Sequence, residues 1–342
     1  MNRRAALLLA IVLIAVTSGA AADAAGYDRL VEATKLWAYI KYCHPGATAA
    51  DVDWDAALAN VTPKILAAKD DGEFSATLDE MLSTLHDPVT HVLQPGTGMF
   101  GKLKAVPVVG DQDGLTVVRM ETGAFQDARK AGMEVERIVA GKGPVVFDLR
   151  GSKSARFVLP AMSVARRSVG PSRITRAHSG YANEANSGSG GYSSYWESHD
   201  GVSLPVTAAI AIQPVFLVDR ETALPDWALA AQASGVGAIL SEGGPIDETQ
   251  IDPGWQFEVR PHVAVNVRVA MAGYSDGTTG VSANVEIKET GDAALKVAIA
   301  LAKAGKWPAP KPRRKLELPP ARFTERAYME QLYPSLEYRL LV

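Results

Sequence analysis

The chain is poor in the residues that staple or decorate a fold. A single cysteine, Cys43, stands among 342 residues, so no internal disulfide forms and packing alone must hold the structure. Cys43 follows Tyr42 in an apolar helical pattern and reads as a small buried hydrophobe. An excess of one charge is also lacking: 35 Lys and Arg face 38 Asp and Glu, a net charge of -3. That excludes the broad basic face of a nucleic-acid binder. The basic run Lys311, Arg313, Arg314, Lys315 is short and lies among prolines. There is no H-E-x-x-H, no paired-cysteine set, no Walker loop and no G-x-G-x-x-G opening a helix after a strand. The six histidines are scattered, so neither a metal nor a cofactor is expected. No apolar run reaches the ~20 residues that span a bilayer.

What is present begins at the N-terminus. Asn2, Arg3 and Arg4 precede an apolar run from Ala5 to Val16, and small residues follow through Ala20-Ala21-Ala22 and Ala24-Ala25. Charge, a short apolar stretch and a small-residue exit form a secretory signal pattern over residues 1–25. An exported protein, periplasmic or secreted, with no stable membrane span after cleavage is the expectation. The hydrophobic share of 47% suffices for a sizeable core.

Residues 26–93 read as a helical unit. Leu30, Val31, Thr34, Leu36, Trp37, Tyr39, Ile40 and Tyr42 recur at three- and four-residue spacing. His44-Pro45-Gly46 ends that helix, Asp53-Trp54-Asp55 opens a second, and a third runs from about Glu73 to Leu85. From about Gln94 short apolar runs bounded by glycine take over. Leu115–Val118, Val145–Leu149, Thr207–Ile212, Val215–Val218, Val236–Leu240 and Val259–Val269 read as strands. Pro225–Ser234 and Asp292–Lys303 read as helices. Strand, helix and strand around Pro225–Ser234 make a βαβ unit with parallel pairing. The predicted class is α/β, with an α/β core over 94–304. The polar stretch His178–Gly201 reads as a surface loop pinned by Tyr181, Tyr192, Tyr195 and Trp196, with a ligand-binding lid as the alternative. Residues 305–342 read as a Pro-rich linker leading to Arg339-Leu340-Leu341, which is similar to Arg29-Leu30-Val31 and reads equally as the start of a further unit or as a docking helix.

Three segments together resemble the tail-specific, or C-terminal-processing, serine peptidases. The first is Lys35–Pro45, a Trp/Tyr-rich helix ending in His-Pro, followed by Trp54-Asp55. The second, Leu85-His86-Asp87-Pro88-Val89-Thr90-His91, is similar to the family's L-x-D-P-x-T-R or L-x-D-G-H-T signature. The third, Val145–Gly151, is similar to its core strand motif I-I-D-L-R-x-N. The resemblance implies a serine-type peptidase core that acts on polypeptides, without cofactor. Only about fifty residues separate the second and third segments, too few for the complete PDZ module that active relatives often carry there.

The same resemblance places the catalytic serine at Leu224, in Phe216–Trp227, and the general-base lysine at Gly243, in Ser241-Glu242-Gly243-Gly244. The histidine of the D-G-H-T variant falls on Val89. Leucine carries no nucleophilic oxygen, so an inactive relative with a retained peptide-binding cleft is expected. Asp148, Arg150, Gly151, Leu224 and Gly243 are the cleft candidates, because ligands sit at the carboxyl ends of strands in open α/β sheets. Two alternatives remain. One is an active peptidase using Thr222, or His178, His199 or Asp200 of the loop, although Thr222 suits a helix cap before Pro225 and Asp226. The other is a non-enzymatic binding or regulatory unit acting with a protein partner.

Overall fold

The computed structural model describes residues 24–47, 52–93, 105–122, 125–153, 155–179, 193–252 and 254–315. Helix α1 spans 24–43, α2 Trp54–Ala67 and α3 Asp71–Ser83. Both later helices start on an aspartate cap: Asp53 accepts from Ala56 N–H and Asp70 from Glu73 N–H, each at 2.9 Å. The cap lets α3 begin at once, so Asp70-Asp71-Gly72 is a helix start as well as a break. Trp37 and Trp54 exchange indole-to-carbonyl hydrogen bonds at 3.0 Å, which pins α1 to α2.

Strand β1 is His91–Leu93, and β2 (Ala105–Gln112) turns through Asp113-Gly114 into β3 (Leu115–Thr122). Asp113 and Gly114 both have positive φ, the hairpin geometry that such a pair favours. Helix α4 (Phe125–Val139) leads to β4 (Gly143–Asp148), and the short α5 (Ala155–Val158) follows. Next come β5 (Ser172–Ser179), β6 (Ser193–His199), β7 (Ile212–Val218), α6 (Asp226–Ala233) and β8 (Ala238–Glu242). The chain closes with β9 (Trp255–Arg260), β10 (Val263–Val267), β11 (Ala270–Gly273), β12 (Thr278–Thr279), β13 (Val285–Ile287), α7 (Asp292–Ala304) and β14 (Arg314–Lys315).

The central sheet has the order β13-β8-β7-β4-β3-β2, parallel except for β2. Its strands are apolar on both sides, as a sheet covered by helices requires. Alternate residues Phe147, Phe216, Val218 and Ile239 pack with α4, α5 and α6, whereas Val146, Val215, Leu217 and Leu240 pack against α7. Helices α4 and α5 approach closely at Gly132, where an added Cβ would lie 1.9 Å from Val158 O. Residues 105–139 thus belong to the main sheet and its covering helix.

Several sequence expectations are corrected. Thr207–Ile212 is a 3₁₀ turn at Ala208–Ile210 followed by the first residue of β7. Val259–Val269 is not one strand: β9 and β10 form an antiparallel hairpin about His262, which has φ 71°. Within the expected loop His178–Gly201, residues 193–199 pair with β5 as strand β6; Tyr181 and Tyr192 lie outside the described residues. Cys43 is half-buried rather than fully enclosed. Residues 306–315 are extended but docked: Asn284 Nδ2 donates to Pro308 O at 2.8 Å, Lys311 N–H to Ala283 O at 3.2 Å, and β14 pairs with β12. Nor is the helical unit closed by residues 26–93, because its core includes Val259, Val263, Val265 and Val267 of β9 and β10.

Candidate functional site

Four of the five cleft candidates meet at the carboxyl edge of β4, β7 and β8. Asp148 ends β4, and Arg150 turns back onto it with Nε and Nη2 each 2.7 Å from a carboxylate oxygen. Arg150 Nη1 reaches Glu242 at 2.5 Å and Gly291 O at 2.8 Å, and Glu242 accepts from Gly291 N–H at 3.1 Å. One guanidinium therefore joins the ends of β4 and β8 to the start of α7. The Asp148 hydrogen bond, offset in part by burial and reinforced by Glu242, raises the Arg150 pKa above its ordinary value. Four of its five donor positions are spent on the protein, so Arg150 is a clamp rather than a free ligand-binding cation.

Gly151 and Gly243 sit beside this clamp on exposed backbone, both with positive φ. Gly151 N–H donates to both oxygens of Asp219 at 3.0 Å. Gly243 has no atom within 4 Å of where a Cβ would stand, so space is free there but the left-handed backbone disfavours a side chain.

Leu224 is placed differently. Its side chain is 0% exposed and lies in the cluster of Phe147, Phe216 and Trp227, rings whose centroids are 4.9–5.6 Å apart. Its N–H donates to Gln250 O at 2.6 Å, and Ala223 N–H to Ser152 O at 2.9 Å. Gln250 Nε2 in turn reaches the carbonyls of Asp219 and Arg220 at 3.3 and 3.4 Å. The segment Asp247–Gln250, closed by a capping box, thus lies over the β7–α6 turn. An oxyanion hole needs N–H donors aimed at an open reaction position. Here the N–H groups of Gly151, Thr222, Ala223 and Leu224 all have internal acceptors.

Thr222 is 2% exposed. Its Oγ1 accepts from Asp219 N–H at 3.1 Å and lies 2.9 Å from Asp219 Oδ1 and 3.1 Å from Leu149 O. No lysine or histidine is among these partners. The expectation of a helix cap is corrected as well: α6 begins at Asp226 with Pro225 at the cap, and Thr222 instead closes the turn before it. His199 and Asp200 lie at the end of β6 and line a separate groove with Arg156 and Asp226. The side chain of His178 lies outside what is described.

No family model matches the chain, and neither does any characterised protein sequence. Among solved structures, a lipoprotein from Streptococcus agalactiae superposes with a TM-score of 0.51 at 8% identity, over 81% of this chain and 97% of that one. This likeness is one of fold alone. Looser superpositions are found with a putative peptidase from Parabacteroides merdae (TM-score 0.46, 13% identity, 82% and 96% of the two chains) and with the photosystem II D1 C-terminal processing protease (0.38, 14%, 76% and 93%).

Sequence reading missed a second buried polar centre, although its residues lie in two of the quoted motifs. His44 Nε2 meets Asp87 Oδ2 at 2.6 Å, and His44 Nδ1 accepts from Gly46 N–H at 2.9 Å. The Gly46 donor fixes the tautomer, leaving the proton on Nε2. Burial pulls the His44 pKa down in spite of Asp87, in keeping with a neutral ring. Asp87 also accepts from Val89 N–H, Thr90 Oγ1 and Arg268 Nε at 3.1, 2.8 and 3.0 Å. Burial alone would raise its pKa, but the His44 hydrogen bond and the Arg268 charge hold it well below the usual carboxylate range. Nearby Glu248 has an enclosed Oε2 without a hydrogen-bond partner among the described residues. Burial pushes its pKa up to about 7, against the pull of Arg268 and with a push from Asp252 and Asp87.

Proposed function

We propose that this chain is an exported, tail-specific-peptidase-like protein that binds polypeptide at the carboxyl edge of its central sheet without hydrolysing it. The observation that carries the absence of hydrolysis is the state of the β7–α6 turn; polypeptide binding at that edge rests on the resemblance alone. The position aligned with the nucleophile is a core leucine, and the N–H groups around it are spent on Gln250, Ser152 and Asp219. Kinship is supported by the three ordered motifs, two of which converge on the His44–Asp87 pair. Export is supported by the charge, apolar run and small-residue exit of residues 1–25.

The test is to incubate the purified mature chain with a fluorescently labelled unfolded polypeptide and follow anisotropy and cleavage together. Binding without cleavage, and no labelling by a serine-directed fluorophosphonate, are expected. The double variant Leu224→Ser, Gly243→Lys should gain no activity and lose about 2–4 kcal/mol of stability, because a hydroxyl replaces packed core. Cleavage by the parent chain that disappears in Thr222→Ala would overturn the reading.

A further inference from the structure

Away from the Arg150 clamp, a groove of about 470 Å³ opens between α5, α6, β5, β6 and β11. Its charged lining is Arg156, Arg173, His199, Asp200, Asp226 and Asp252. Asp252 is committed to the fold, since its oxygens accept from Gly254 N–H at 3.1 Å and Ala270 N–H at 2.8 Å. Arg156 and Asp226 are not. Arg156 Nη2 stands 3.6 Å from Asp226 Oδ1, beyond hydrogen-bond length. Arg156 Nη1 is enclosed and has no acceptor among the described residues. Nη1 faces the fold and is out of a ligand's reach. The part of the side chain left exposed, 18% beside a 60% exposed Asp226, lines the groove, and a carboxylate is its charge-assisted partner there.

We propose that this groove binds a free α-amino acid, whose carboxylate pairs with Arg156 and whose ammonium pairs with Asp226. The loose Arg156–Asp226 contact is exchanged for two charge-assisted contacts with the zwitterionic head. The 3.6 Å spacing suits an α-amino acid, whose ammonium is borne by the carbon next to the carboxylate carbon, and does not suit the separated ends of a peptide. Arg173 and His199 are direct cross-strand neighbours and so share one face of the β5–β6 ladder. With Leu229 and Met271 they form the wall available to the ligand side chain. The volume falls within the range of small-ligand pockets, about 300–1,000 Å³.

Isothermal titration of the full chain with each of the twenty standard amino acids, at low salt, tests the proposal. At least one should bind, and its N-acetyl and carboxamide derivatives should each bind at least about tenfold more weakly. Arg156→Gln and Asp226→Asn, checked for folding by circular dichroism, should each weaken binding by a similar factor. Lys153→Gln, at an exposed residue outside the groove, should leave it unchanged. Three results overturn the proposal: no heat from any amino acid at millimolar concentration, equal binding of the N-acetyl form, or a folded Asp226→Asn variant that binds like the parent. The peptide-binding reading stands or falls separately, on the anisotropy of the unfolded polypeptide.

Discussion

At the scale of single residues, two buried ionisable groups act in opposite directions with pH. His44 is held neutral and favours the fold while the unfolded chain's histidine is also neutral, so its contribution declines as pH falls below about 6.5. Glu248 behaves in the reverse sense. Its pKa is about 7 in the fold against an ordinary value of 4.5, so the native state holds a proton that the unfolded chain releases, and stability falls as pH rises from about 4.5 through 7. Glu248→Gln should therefore be more stable than the parent at pH 8.5, by on the order of 1–3 kcal/mol, with the difference vanishing near pH 4.5. Urea denaturation at both pH values measures this. Equal stabilities at pH 8.5 would show that Glu248 is solvated or paired in solution. The motif residues His44 and Asp87 were visible in the sequence, but their junction was not. It depends on Arg268, which lies 181 positions from Asp87 and carries no local signal.

At the scale of elements, the sequence disclosed whatever local periodicity dictates. The three N-terminal helices, β4, β7, α6 and α7 all have continuous apolar patterns that one face or two faces of packing explain. The errors have physical causes. The run Val259–Val269 is broken at Pro261-His262, where His262 is left-handed; the proline is a breaker inside the run, but the apolar alternation on both sides of it reads as one continuous strand. Strands β5 and β6 are rich in Ser, Arg and His, and their pairing is specified by partners rather than by hydrophobic alternation. The Pro-rich segment 306–315 looks like a linker by composition, yet Asn284 ties it down. The Asn284 side chain donates to Pro308 O and accepts from Ile239 N–H and from Gln232 Nε2 at 2.9 Å. Asn284→Ala leaves buried donors unpaired and should cost about 2–4 kcal/mol. Hydrogen exchange should then quicken across residues 306–315 before the central sheet opens. Unchanged exchange there would mean that β14 and the Arg313–Tyr274 stack, 3.8 Å from guanidinium carbon to ring centroid, hold the segment unaided.

At the scale of the whole molecule, the helical unit and the α/β core are not separable. Helices α1 to α3 bury their apolar faces partly against β9 and β10, and Arg268 closes on Asp87 from beyond β10. A fragment of residues 26–93 should therefore be largely unfolded by circular dichroism, whereas a chain of residues 26–315 should fold cooperatively. A sharp thermal transition in the short fragment would contradict this.

That late-arriving wall of β9 and β10 also sets a timetable for synthesis. The N-terminal helices leave the ribosome long before the strands that cover them, so their apolar stripes stay uncovered while most of the chain is still being made. Contacts of such sequence separation form slowly, and surface left open in the interval is the surface that chaperones hold and aggregation exploits. The helical unit therefore becomes compact only once residues 255–267 have been made.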